Sequence, residues 1–335
     1  MSVPYLFSLN NKDRVDLFLA AGTETGLPAY VVEKDYYVTL VLKLLFEQLK
    51  PDCLEKTATP FMFKGGTTLS KVFGCIDRMS EDIDLSLDMK LLGHPAPDMR
   101  ESGNKLKARL KRLDAATKET VADVLKPFLD KCFKEYDEEF TVKVLETGTD
   151  LEIQYPRIFR GGGYIQQRVL LECGGKAGLE PSATHMISPI ALSRLNITAD
   201  DCQVDVLGCD RTFLEKITAL HEINHRGVEA LGERQSRHIY DLVSIHRSNP
   251  EFIGDTRLLA QVVEHKQKYF RRGASKWSEA VPGSLFLIPE GAVAESLEKD
   301  WDKMGDMFPG DLPWTFNEMI QELKKIDEAL NATDQ

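Results

Sequence analysis

The chain has 335 residues, 42% hydrophobic and 28% charged, the balance of an ordinary globular protein with enough length for one large domain or two smaller ones. A net charge of −11 argues against a protein that coats nucleic acid through its overall field, while leaving room for a local basic groove. Six cysteines, at positions 53, 75, 132, 173, 202 and 209, show neither a CxxC pair nor zinc-ligand spacing, which fits free thiols in a reducing cytoplasm.

The opening stretch MSVPYLFSLNNKDRVDLF has no basic flank followed by an apolar run, so no secretory signal is expected. From about residue 11 to 50, RVDLFLAAGTE and VTLVLKLLFEQL place apolar residues at helical spacing. YYVTLVLKLLF is short and interrupted by Lys43, which predicts a core helix and not a membrane span. Pro51 and Pro60 bracket a connector, FMF predicts a short strand running into KGG, and TTLSKVF predicts the start of a helix. DIDLSL alternates polar with apolar residues, the periodicity of a strand. Residues 100–135 predict charged, amphipathic helix. Strand-like runs follow at 140–146, 151–158 and 164–173, separated by breaks such as RGGGY. Beyond about 205, DRTFLEKITALHEINHR, RHIYDLVSIH, DTRLLAQVVEHKQKYF and FNEMIQELKKIDEALNAT return to helical spacing. The expected architecture is α+β: N-terminal helices and a mixed core over 1–205, then a helical region over 206–335.

Two stretches point to chemistry. In KGGTTLSK, Gly65 and Gly66 allow a tight backbone turn ahead of a helix N-terminus, Thr67, Thr68 and Ser70 add hydroxyls, and Lys64 and Lys71 flank them with positive charge. The spacing is not that of a Walker A loop, and a Gly-Gly pair before a helix also serves as a plain turn. In SEDIDLSL, strand periodicity puts Asp82 and Asp84 on one face and turns Ile83 and Leu85 to the core. Two carboxylates held this way suit Mg²⁺, which takes hard oxygen ligands from one or two carboxylates and from substrate phosphates; a solvent-facing acidic edge is the alternative. Glu172, near the end of the apolar run RVLLEC, is the candidate third acid, with Glu152 as its rival. Two locally basic segments, 105–112 and 265–276, read either as solvated helix faces or as nucleic-acid contacts. The second interleaves Tyr269 and Phe270 with cations.

Taken in order, FKGGTTLSK, RMSEDIDLSL, VLLECGG, LEKITALHE and SRHIYDLVSIH resemble the nucleotidyltransferase AbiEii/AbiGii toxin family of the DNA polymerase β-like nucleotidyltransferase superfamily. VVEKDYYVTLVL and VVEHKQKYF extend the resemblance over roughly residues 30–270. It implies a polymerase β-like core, a mixed sheet flanked by helices, followed by a helical C-terminal region. It also implies a toxin of a toxin–antitoxin or phage-defence system that moves an NMP from an NTP to an acceptor hydroxyl, often the 3′ end of tRNA, and that is paired with an antitoxin. By the same resemblance Asp82, Asp84 and Glu172 are the divalent-metal ligands, for Mg²⁺ or Mn²⁺. Gly65, Gly66, Thr67 and Ser80 lie against the triphosphate, with Lys64 a further phosphate contact. Lys216 is the phosphate-contacting lysine, and Asp241 orients that lysine or the nucleophile.

An acidic protein that binds RNA needs local cations, and Lys266, Lys268, Arg271 and Arg272 are the candidates in the C-terminal half. Protein nucleotidylation, phosphoryl transfer by the same site, a DxD glycosyltransferase using a nucleotide sugar, and a catalytically idle binder remain the competing readings.

Overall fold

The computed structural model describes residues 3–80, 82–94, 103–161, 165–308 and 310–332. Contacts divide the chain into two compact units, Met1–Val72 with Met79–Leu207, and Phe73–Arg78 with Gly208–Gln335.

The first unit is built on a seven-stranded mixed sheet. Its strands are β1 (Phe61–Lys64), β2 (Asp82–Leu87), β3 (Thr141–Val144), β4 (Asp150–Gln154), β5 (Val169–Gly174), β6 (Ser182–Ile187) and β7 (Cys202–Leu207), in the order β3-β4-β5-β2-β1-β7-β6. β2 runs parallel to β5 and β1 parallel to β7, while the other neighbours are antiparallel. Ile83, Leu85, Leu87, Leu151, Ile153, Val169 and Leu171 are buried side chains of β2, β4 and β5. Burying such a side chain contributes roughly 1.5–3 kcal/mol, which fixes the register: a one-residue slip would move the whole set to the opposite face.

The predicted N-terminal helical region consists of Asn11–Thr25, Ala29–Lys43 and a π-helical turn, Leu44–Leu49. Asn10 caps the first of these through Asp13 N, and Gly26 ends it in the left-handed region at φ 71°. The helix Ala29–Lys43 is buried nearly all round, as its continuous apolar run requires. The charged helical stretch forms Gly103–Thr120, a π turn and Lys126–Tyr136; residues 100–102 of that expectation lie outside the described residues.

β3 and β4 fall within the predicted runs, but β4 stops at Gln154, just before Tyr155-Pro156. Proline lacks the ladder N–H and restricts the residue before it. β5 begins only at Val169 because Gln166, Gln167 and Arg168 make local and loop bonds instead; Tyr164 lies outside the described residues. β6 and β7 are two strands the periodicity reading did not anticipate.

The second unit is helical, with Cys209–Arg226, Arg237–Ser248, Thr256–Tyr269 and Phe316–Asn331 as predicted and Gly291–Trp301 in addition. Its aromatic core joins Tyr240 to Trp301 at 5.7 Å and to Phe308 at 4.9 Å. Thr315 and Glu318 close a full capping box on the last helix.

Candidate active site

The register of the sheet assembles one row of side chains across four strands. Lys64 of β1 stands opposite Asp84 of β2, Asp84 beside Glu172 of β5, and Glu172 opposite Asp150 of β4. Residues paired in register share a face, so Asp82, two positions from Asp84, belongs to that face as well. Neighbouring strands lie about 4.8 Å apart, and three acids in one row repel unless a cation intervenes. β5 continues past Glu172 to Gly174, which keeps that residue inside the ladder. Glu152 instead faces Leu170 and pairs with Arg168 at 3.3 Å, whereas Glu172 stands in register with Asp84.

Gly65 explains why a glycine precedes this row. Its backbone sits at φ 85°, ψ −163°, and a Cβ there would come within 1.8 Å of Asp84 Oδ2. The site therefore needs the missing side chain for both conformation and space. Gly66 opens the short helix Gly66–Lys71, whose first N–H groups have no intrahelical partner. The Thr67 hydroxyl donates to the Asp82 carbonyl at 2.5 Å and lies 3.1 Å from Ser80 Oγ, so both hydroxyls brace the start of β2. What Thr67 offers a ligand is its backbone N–H. Lys71 is not available for phosphate: its ammonium donates to Asp35 Oδ1 at 2.7 Å and to the Ser188 carbonyl at 2.9 Å, with a nearly buried side chain.

Lys216 and Asp241 belong to the helical unit. Lys216 sits on the Cys209–Arg226 helix among buried Phe213, Ile217 and Leu220, and Asp241 on Arg237–Ser248 among Ile239, Leu242 and Ile245. Lys216 Nζ donates to Asp241 Oδ2 at 2.7 Å. Arg78, which sequence reasoning missed, donates to the same carboxylate through Nε to Oδ1 at 2.7 Å and Nη2 to Oδ2 at 2.8 Å. Two cations thus share one fully buried carboxylate. Burial alone would raise the Asp241 carboxyl, but the Arg78 and Lys216 charges outweigh it and hold it well below the usual carboxylate range. Burial, with Arg78 adding to it, lowers Lys216, and Asp241 offsets part of that shift. Asp300 accepts from Arg234 N, Ser236 N and Ser236 Oγ and so fixes the entry to the helix bearing Asp241.

The basic segments divide differently. Lys105, Lys107, Lys111 and Arg112 lie on the exposed side of their helix, with Leu106 and Leu113 buried beneath, a solvated face. In the second segment Lys266 lies over the Phe270 ring at 5.0 Å, Lys268 pairs with Glu264 at 3.5 Å, and Arg271 and Arg272 are exposed.

Do the acids fit a divalent ion? Among the described residues, no three His, Cys, Asp or Glu side chains converge closely enough to hold one unaided. The fit is instead to an ion bound by one or two carboxylates together with substrate phosphates: hard oxygen donors on one face and a glycine cradle that a Cβ would fill. No helix among the described residues is long and apolar enough to cross a membrane.

Comparison with known proteins identifies the fold and the family. No curated protein matches the sequence. Among solved structures, the chain is similar to MenT4, a nucleotidyltransferase toxin from Mycobacterium tuberculosis, at 16% identity and a TM-score of 0.52, covering 95% of this chain and 90% of that one; at that identity the likeness speaks to the fold. The family model described as nucleotidyl transferase AbiEii toxin, type IV toxin–antitoxin system, matches residues 52–331. A match over that much of the chain, on a mixed sheet with this acidic row, means that the chain belongs to the AbiEii nucleotidyltransferase toxin family.

Proposed function

We propose that this toxin transfers an NMP from an NTP to the 3′-terminal hydroxyl of tRNA in the cytoplasm, and that a divalent cation would be held jointly by the triphosphate and by carboxylates drawn from Asp82, Asp84 and Glu172. The observation that carries the reading is the register that sets Asp84 beside Glu172 and against Gly65. When bound, Mg²⁺ or Mn²⁺ supplies charge neutralisation and Lewis acidity at the triphosphate.

The chain's own residues do the rest. The Gly65–Gly66 turn lets backbone N–H groups approach the triphosphate, with Thr67 contributing its N–H and Ser80 bracing Thr67. Lys64, opposite Asp84, balances phosphate charge on the same face. Lys216 is assigned to phosphate by the family pattern, and its ammonium is oriented by Asp241. The acceptor oxygen forms a bond to the α-phosphorus, the α–β anhydride bond breaks, and pyrophosphate leaves; the acceptor proton passes to a carboxylate of the acidic row. A cognate antitoxin is the partner that the type IV toxin–antitoxin family implies.

The test incubates the protein with Mg²⁺ and each α-labelled NTP, separately with total tRNA and with a lysate. Label should enter tRNA, and Asp82→Ala and Asp84→Ala should abolish it. Label in protein only, no label in tRNA, or unchanged transfer by either variant refutes the proposal.

A further inference from the structure

We infer that Arg157 and Arg160, displayed by the loop that joins β4 to β5, hold backbone phosphates of the acceptor nucleic acid. This rests on the transfer to RNA proposed above.

The loop leaves the sheet at the same end as the acids. β4 ends at Gln154 and β5 begins at Val169, one position before Leu170, which stands beside Asp82. Glu152 lies in register with Leu170, two strands from β2 and so about 10 Å to the side of Asp82. Arg157, five residues further, is within roughly 28 Å of Asp82, the span of a few nucleotides.

Buried charge is committed to holding this loop in place. Glu33 and Lys34 are almost wholly inaccessible, and both reach loop backbone. The Glu33 carboxylate accepts from Ile158 N at 2.6 Å and Phe159 N at 3.3 Å, and Lys34 Nζ donates to the Gln166 carbonyl at 2.6 Å. Gln167 then closes the loop on itself, accepting from Gly161 N at 2.9 Å and donating to the Phe159 carbonyl at 2.7 Å. Phe159 packs edge-on against Phe18, and Gly161 lies so close to the Tyr30 ring that a Cβ would meet it at 2.6 Å. Ordering a surface loop with buried ionic groups is costly unless the geometry it fixes is used.

What the anchored stretch presents to solvent is Arg157 and Arg160, flanking the half-buried Ile158 and Phe159. Neither makes an ion pair among the described residues. Nearby cations are already occupied: Arg168 by Glu152, Lys71 by Asp35 and Lys34 by Gln166. In a chain of net charge −11, beside a face carrying Asp82, Asp84, Asp150, Glu152 and Glu172, a polyanion needs such uncommitted guanidinium groups to approach at all. Glu33 acts here as a positioning residue.

The experiment measures binding of fluorescently labelled total tRNA against salt for wild type, Arg157→Ala, Arg160→Ala and the double variant, together with steady-state transfer. Both arginines are exposed, so folding is retained. The double variant should bind tRNA about 10-fold more weakly or worse, with the slope of log K against log salt shallower by about 1 per arginine. KM for tRNA should rise while KM for NTP and kcat hold. Glu33→Gln should move KM for tRNA in the same direction without moving KM for NTP. Unchanged tRNA affinity and salt slope in the double variant overturn the inference, as does a KM shift confined to a protein acceptor. Should wild type bind tRNA through these arginines yet transfer nothing to it, the transfer proposal fails and the binding assignment stands.

Discussion

Replacing Gly65 with alanine tests whether the glycine exists for the sake of Asp84. The new methyl would sit 1.8 Å from Asp84 Oδ2 and 2.6 Å from its Cγ, far inside contact distance. The backbone is poorly placed to yield: β1 is laddered to β2 through Lys64 and Asp84, and the Gly65 carbonyl accepts from Thr68 Oγ1 at 2.8 Å. The carboxylate must therefore leave. A side chain at this positive φ adds roughly 1–3 kcal/mol of strain, which for a unit of this size corresponds to a melting shift on the order of 2–10 °C. Activity should fall much further than stability. Losing a positioned group that acts in the transition state costs about 10²–10³ in rate. The assay is transfer from α-labelled NTP alongside a circular dichroism melt, for Gly65→Ala, Asp84→Ala and the double variant. If the methyl acts through Asp84, the double variant is no worse than Asp84→Ala alone. Full activity in Gly65→Ala, or losses that multiply, would refute the coupling.

Three further outcomes follow from the charge placement. Asp241→Asn strands two buried cations and should destabilise the helical unit by about 3–5 kcal/mol, read as an earlier urea midpoint. Lys216→Met leaves Asp241 with its two bonds to Arg78 and should melt much closer to wild type while losing transfer; equal destabilisation by both variants would make Lys216 a purely structural residue. Burial raises the Glu33 carboxyl from 4.5 to about 7, against the pull of Ile158 N, Phe159 N and Arg157. The folded state thus keeps a proton that the unfolded state releases between those values. Its stabilisation, about 3 kcal/mol, is complete below pH 4.5 and lost as pH rises through 7. Urea unfolding at pH 5 and pH 8 should show this slope in wild type and its absence in Glu33→Gln, whereas equal slopes count against it.

Where local chemistry decided the structure, the sequence was readable. Period-2 alternation placed Asp82 and Asp84 on one face of β2, and helical spacing found the long amphipathic helices of the C-terminal unit. β6 escaped because SATHMI is an exposed strand at the sheet's edge with only Ile187 buried, so no core-facing alternation marks it. β7 carries such a signal in CQVDVL, but its short run adjoins the helix beginning at Cys209. The candidate site was legible where residues cluster in sequence, at Gly65 and Asp84, whereas Lys216 and Asp241 were singled out by family likeness, and the structure shows them as an ion pair. Arg78 was not, since its partner lies 163 positions away and an arginine four residues before a predicted strand looks like any surface cation.

The run Glu33-Lys34-Asp35 shows what pattern reading leaves out. Successive helical residues point about 100° apart, so three consecutive charges cannot serve one surface. Here each reaches a different segment: Glu33 the backbone at Ile158 and Phe159, Lys34 the Gln166 carbonyl, and Asp35 both Lys71 and Ile190 N. On a helix otherwise filled by Val31, Val32, Tyr36, Tyr37 and Val38, the polar triplet would be a defect if its groups lacked partners. Instead one helical turn fixes the loop between β4 and β5, the Lys71 end of the glycine-turn helix and the segment before Leu192. The first two of these border the acidic row. Buried charge on this helix therefore serves to position what surrounds the carboxylates, and the apolar residues around it supply the stability that makes such placement tolerable.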